Sequence, residues 1–141
     1  MKMSIREAIN QTLHQEMERD ERVIVLGEDV ASDQGGVYGI TDGLPAKFGL
    51  HRVIDTPITE SAIVGAAGGA ALTGLRPVAE LMFVDFLGVC LDQILNQIAK
   101  FRYMFGGKSR CPAVIRFSAG GGFSAAGQHS QAMYQLSLIH I

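Results

Sequence analysis

One stretch limits what this chain can become: Asp55-Thr-Pro-Ile-Thr-Glu60-Ser-Ala-Ile-Val-Gly-Ala-Ala-Gly-Gly-Ala70. The apolar pair Val53-Ile54 leads into a Thr-Pro turn, a single acid follows, and no further charge appears until Arg76. That order reads as a short strand, a turn and a helix of small residues that lets another backbone or a ligand come close. Gly65 and Gly69 have the small-xxx-small spacing of tight helix contact. Glu60 then stands at a strand-to-helix junction. Local sequence supports two readings of it: a helix-start acid favoured by the macrodipole, or a buried catalytic carboxylate. The second is the expectation carried forward.

Around this stretch, short apolar runs alternate with helical patterns. Ser4-Ile-Arg-Glu7 is a capping box, and Ile5, Ala8, Ile9, Leu13 and Met17 recur at helical spacing, which predicts a helix over about 4–20. Val23-Ile-Val-Leu26 is a buried-strand run ending at Gly27-Glu28-Asp29-Val30. Residues 31–50 carry five glycines and one proline, a long excursion with a short helix near Leu44–Phe48. Arg52-Val-Ile54, Arg76–Met82 and Cys111–Phe117 are the other predicted strands. The helix after Glu60 runs to about Leu75, and a long helix spans Phe86 to about Phe105. Its apolar stripe is Val89, Cys90, Ile94, Ile98 and Phe101, and Gly106-Gly107 stops it.

Strands alternating with helices, without hairpin signals, predict an α/β fold with a parallel sheet flanked by helices on both faces. Such sheets place their sites at the carboxyl ends of the strands. Glu28, Glu60, Met82 with Phe86, and His129 each follow a different predicted strand, so one rim collects four candidates. Taken singly, each has a plainer reading: Glu28 as a strand-end turn residue, Met82 and Phe86 as core, His129 as a solvent-facing loop histidine.

Composition narrows the class. A chain of 141 residues with 48% hydrophobic and 18% charged residues is one globular domain. A formal charge of −2 leaves no basic footprint for nucleic acid. Cys90 and Cys111 lack metal or redox spacing and read as free buried thiols of a reducing, cytoplasmic compartment. Neither a signal peptide nor a membrane span is expected, since Ser61–Leu75 is too short and Gly-rich. No residue group has metal-ligand spacing, so no metal site is expected on this chain. Gly107-Lys108-Ser109 fails as a P-loop because Arg102 holds the position of the leading glycine. Gly120-Gly-Gly-Phe-Ser-Ala125 matches G-x-G-x-x-A but opens no long helix, and His14 reads as a surface residue of the first helix.

Several stretches together resemble one family along nearly the whole chain. They are Gly27-Glu-Asp-Val30, Arg52-Val-Ile-Asp-Thr-Pro-Ile-Thr-Glu60, Gly74-Leu-Arg-Pro77, Asp92-Gln-Ile-Leu-Asn-Gln97 and Gln128-His-Ser-Gln131. The chain is similar to the N-terminal, pyrimidine-binding domain of the beta subunit of thiamine-diphosphate-dependent 2-oxo acid dehydrogenases, the decarboxylating components of pyruvate, branched-chain and acetoin dehydrogenase complexes. Glu80–Phe86 and Ala99–Gly107 resemble the acetoin-type branch most. The resemblance implies a transketolase-like fold, here incomplete, and makes Glu60 the carboxyl that drives the aminopyrimidine to its imino form. That role needs a carboxyl whose pKa is raised by burial, and the Gly/Ala surroundings are expected to desolvate it.

By the same resemblance, Phe86 lies against the pyrimidine ring, Met82 is a neighbouring contact and Glu28 is an acid near the pyrimidine end. His129 is the loop histidine that handles protons on the substrate adduct or during transfer to a lipoyl group. A structural monovalent cation held by carbonyls around Ala113 is a further family feature. The cofactor's diphosphate and magnesium belong to an alpha subunit, whose Gly-Asp-Gly motif has no match here. The implied partners are that alpha subunit, a second beta subunit and a lipoyl-bearing acyltransferase. A transketolase-like synthase and a non-catalytic assembly module are the alternatives. The Asp92–Gln97 pattern and His129-Ser-Gln131 stand against the synthase.

The family pattern after Gln131-Ala-Met-Tyr-Gln135 calls for a helix ending in a His-Ile-Pro-Gly-like turn. The chain instead reads Leu136-Ser-Leu-Ile-His-Ile141, which one frame of a common sequencing adaptor encodes. The pyrimidine-binding domain is accordingly expected over residues 1–135, with 136–141 a non-native tail and the family's C-terminal domain absent.

Overall fold

In the computed structural model, residues 2–120, 122 and 124–133 are described. The expected tail at 136–141 lies outside the described residues, as do Gly121 and Phe123 of the glycine-rich match.

Four parallel strands form one sheet in the order β2-β1-β3-β4. They are β1 (Val23–Gly27), β2 (Val53–Asp55), β3 (Arg76–Phe83) and β4 (Val114–Ser118). The α-helices are α1 (Ile5–Arg19), α2 (Leu44–Phe48), α3 (Glu60–Leu72) and α4 (Phe101–Met104). The expected parallel α/β sheet with helices on both faces is thus what the chain forms. Strand β1 is central and wholly buried. Its alternate side chains separate two cores, as a pleated strand requires. Val23 and Val25 pack with Leu13 and Met17 of α1, Val53, and Val30, Ile40 and Leu44 of the loop and α2. Ile24 and Leu26 pack with Ile63, Val64 and Ala67 of α3, Ala79, Leu81 and Cys90.

Helix α1 starts at the expected capping box: Ser4 Oγ accepts from Glu7 N and the Glu7 carboxylate accepts from Ser4 N. At its far end the Arg52 guanidinium donates to the carbonyls of Met17, Asp20 and Val23, tying the helix exit to β1. His14 is half-buried rather than a surface residue, with Nε2 3.2 Å from the Asp42 carbonyl and its ring beside Phe48.

The single long helix expected over Phe86–Phe105 is not formed. The segment stays helical but divides into a 3-10 helix at Val84–Cys90, a π-helix at Asp92–Ile98 and the short α4. Its packing on α3 shows why. A Cβ at Gly65 would lie 3.2 Å from Gln93 Oε1, and one at Gly68 would lie 3.0 Å from Ile98 Cγ1. The wide π turn brings Gln93 and Ile98 onto those two glycines, while Ser61 Oγ donates to the Val89 carbonyl at 2.6 Å. Gly65 and Gly68, not Gly65 and Gly69, are the close-contact pair, and among the described residues nothing lies within 4 Å of a Cβ at Gly69. The tighter 3-10 turn also rotates Val89 outward, to 59% exposure, off the expected apolar stripe.

Both cysteines are free thiols; Cys90 is buried, and Cys111 is half-buried rather than buried. Among the described residues no helix is long and apolar enough to cross a membrane.

Candidate functional site

The strand order reverses direction between β1 and β3, because the chain leaves β1 toward β2 and leaves β3 toward β4. The carboxyl ends of two such strands enclose a crevice. In register, Gly27 of β1 pairs with Asp55 of β2 and with Glu80 of β3. A side chain at Gly27 would meet the Glu80 carbonyl oxygen at 2.7 Å, so the strands close tightly just before Glu28. The loops beyond are stitched together as well. Thr56 N donates to the Gly27 carbonyl at 3.0 Å, and Ala31 N to Asp55 Oδ1 at 2.7 Å.

Glu60 is the first residue of α3, on that rim. It is half-buried rather than buried as expected. The reason is its place at the helix start, after exposed Thr59 and Ile58; the buried faces of α3 begin at Ile63. Glu28 is half-buried too. Its carboxyl is pushed above the usual range by burial first, then by the negative charges of Glu60 and Asp29. Cys90 feels Glu60 as well: burial and that charge push its thiol up to about 11. The Cys90 Sγ donates to the Phe86 carbonyl at 3.6 Å, so this buried thiol links the acid's neighbourhood to the aromatic one.

Strand β3 brings the aromatic wall with a bulge. Between the pairs Glu80–Arg116 and Phe83–Ser118, β3 advances three residues while β4 advances two. Strict alternation would place residues three apart on opposite faces. Here both meet the loop after β1: Glu80 Oε1 lies near Gly36, and the Phe83 ring lies 6.1 Å from that of Tyr38. Met82 falls within this irregularity and is half-buried. Bulges re-aim side chains next to sites in this way.

His129 arrives from the loop after β4. Its ring stands edge-on to Phe83 and Phe86, with centroids 4.9 and 5.4 Å away. The loop is closed by Gly120 N donating to the Gln131 carbonyl at 3.0 Å, and by Ala125 N donating to Ser130 Oγ at 2.9 Å. His129 also lines a cavity of about 190 Å³ with Tyr38, Phe83, Asp85 and Gln131.

Glu28 and Glu60 are therefore joined electrostatically and Phe86 and His129 by ring contact, while Cys90 feels the charge of Glu60 and bonds to the Phe86 carbonyl. Phe83, Asp85 and Tyr38 were not among the expected site residues. Phe83 lies one residue past the expected end of its strand, and only the bulge turns it toward His129. The side chains suit an aminopyrimidine: a protonated carboxyl can donate to a ring nitrogen, a carboxylate can accept from the amine, and thioether and aromatic surface suit the ring face. Thr56 Oγ1, in the turn that delivers Glu60, is buried without a hydrogen-bond partner among the described residues, a further polar group for such a ligand. Among the described residues no cluster of three or more His, Cys, Asp or Glu could hold a metal ion.

The family described as transketolase, pyrimidine binding domain, matches residues 1–138. Among curated proteins, the beta subunit of the acetoin:2,6-dichlorophenolindophenol oxidoreductase of Cupriavidus necator is 58% identical over 144 residues, covering 96% of this chain and 42% of that subunit. The Bacillus subtilis protein of the same name is 52% identical, covering 95% of this chain and 42% of its own length. The 2-oxoisovalerate dehydrogenase subunit beta of Bacillus subtilis is 49% identical, covering 93% and 40%. The chain thus spans about two fifths of the length of these relatives.

Proposed function

The chain belongs to the transketolase pyrimidine-binding domain family, and on that premise we propose that it is the pyrimidine-binding part of the beta subunit of a thiamine-diphosphate-dependent dehydrogenase acting on acetoin or a 2-oxo acid. Identities of 58% and 52% to acetoin-named subunits, against 49% to the 2-oxoisovalerate one, favour acetoin. The observation that carries the reading is Glu60 at the helix start on the switch-point rim, with its charge felt by Glu28 and Cys90.

Thiamine diphosphate, when bound, supplies the electron sink for cleavage beside the substrate carbonyl. Glu60 would hold and move a proton at a pyrimidine nitrogen of the cofactor. Half-exposed at the helix start, Glu60 is open to a ligand that would complete its burial. Glu28 is raised above the usual carboxylate range, by burial first and then by the negative charges of Glu60 and Asp29. Met82 and Phe86 would offer thioether and aromatic surface to the ring. His129, steadied by the edges of Phe83 and Phe86, moves a proton on the substrate side.

The diphosphate and magnesium fall to an alpha subunit. A second beta subunit and a lipoyl-bearing acyltransferase complete the partners, in the cytoplasm. The 141 residues alone are expected to turn over no substrate. Assembling the complete beta subunit with its alpha partner, and supplying acetoin, pyruvate and branched-chain 2-oxo acids with an artificial electron acceptor, tests the assignment. Turnover of acetoin above the others is the expected result; turnover of none of them contradicts it.

A further inference from the structure

Asp85 lies in the 3-10 segment between Phe83 and Phe86, the two rings that His129 touches. Its Oδ1 accepts a hydrogen bond from the backbone N–H of Gln131 at 3.2 Å. The Gln131 carbonyl in turn accepts from Gly120 N at 3.0 Å, at the exit of β4, and the Gln131 side chain donates to the Gly127 carbonyl at 3.0 Å. One residue therefore closes the loop and fastens it to the β3 side of the site. Ser130 alone separates this anchor from His129, and Asp85, Gln131 and His129 line the same small cavity.

From this geometry we infer that Asp85 is a positioning residue for His129: its carboxylate fixes the loop through Gln131 and so holds the imidazole against Phe83 and Phe86. A loop histidine has no secondary structure of its own to set its place. Glu60 is set by a helix and Phe83 by a strand, whereas His129 depends on the bonds that close its loop. A carboxylate accepting a backbone N–H is among the stronger single anchors available to a loop. The inference rests on the reading of His129 as a proton-handling residue.

The test uses the complete beta subunit assembled with its alpha partner. Asp85→Ala is expected to lower kcat about 10- to 100-fold, the scale of a small misplacement of a reacting group, with KM little changed. Amide exchange around residues 124–133 should speed up while exchange in β1 does not change. Asp85→Asn, which keeps an acceptor oxygen, should restore both rate and protection. Because Asp85 acts through His129, the double variant Asp85→Ala/His129→Ala should be no slower than His129→Ala alone. Should the alanine variant not assemble, Asp85→Glu moves the acceptor outward by one methylene and should lose rate and protection together. A fully active Asp85→Ala beside an impaired His129→Ala, or losses that multiply in the double variant, would overturn the positioning role and leave the role of His129 intact. If His129→Ala is itself fully active, the reading of His129 fails instead. The amide exchange then decides the anchor: unchanged protection in Asp85→Ala refutes it.

Discussion

Glu80 and Arg116 face each other across β3 and β4 as an ion pair of 2.6 Å, with side chains only 5% and 14% exposed. They are paired in register, immediately before the bulge that turns Phe83 toward His129. Burial pushes the Glu80 carboxyl up and the Arg116 guanidinium down, and the opposite charge of each partner works against that push. Desolvation is the larger effect on both sides, so the pair is costly to form and costlier to break.

Removing one member leaves the other charged and buried. Glu80→Ala is expected to destabilise the fold by about 3–5 kcal/mol, read as a lower urea midpoint. Replacing both residues by apolar ones should cost much less. Equal losses from the single and the double change would contradict this account.

The carboxyl of Glu28 gives a titration test. Burial raises it first and the charge of Glu60 second, so Glu60→Gln should move its pKa down toward the ordinary range. Carbon-detected NMR titration of labelled glutamate reads this directly. No movement, or a move upward, would mean that the two acids do not share one neighbourhood.

Cys90 offers a chemical probe of the same neighbourhood. With its thiol at about 11, the thiolate fraction at pH 8 is about two orders of magnitude below that of an ordinary thiol. Native alkylation should therefore label half-buried Cys111 well before Cys90, and denaturation should equalise the two. Fast labelling of Cys90 in the native state would contradict its burial beside Phe86.

Helix α3 separates its glycines by what they touch. Gly69→Ala meets no other described residue within 4 Å, in a helix interior, and should stabilise by about 0.5–1 kcal/mol. Gly68→Ala presses on Ile98 at 3.0 Å and should forfeit that gain, with net destabilisation of about 1 kcal/mol. Thermal midpoints of the two variants moving in opposite directions is the expected outcome. Gains of equal size would mean that the helical segment after β3 does not pack on this face.

These tests fall where sequence and structure diverge. Val23–Leu26, the capping box at Ser4 and the small-residue helix after Glu60 were legible because each is a local pattern with one matching geometry. Parallel order followed from the alternation of strands and helices. The 3-10 and π turns of 84–98 were not legible, since the residues have ordinary helical periodicity; the π turn is the part that packs on Gly65 and Gly68. The pairing of Gly65 with Gly68 rather than Gly69 depends on where the neighbouring segment crosses, which spacing does not encode. The places of Glu28, Glu60, Phe86 and His129 after strands were legible, whereas Met82 lies inside β3, within its bulge. Phe83 and Asp85 were not legible, because a bulge and a loop closure from a distant segment bring them in. The half-exposure of Glu60 follows from its place in the first turn of α3, where the preceding residues are exposed and burial begins only at Ile63.

The central claim is that Glu60 handles the proton that activates the cofactor. Glu60→Gln keeps the size and hydrogen-bonding shape of the side chain but removes its titratable proton. In the complete beta subunit assembled with its alpha partner, turnover should fall by about 10²- to 10⁴-fold, with the assembly unchanged in mass and stability. An assembled Glu60→Gln enzyme turning over at the wild-type rate would contradict the claim.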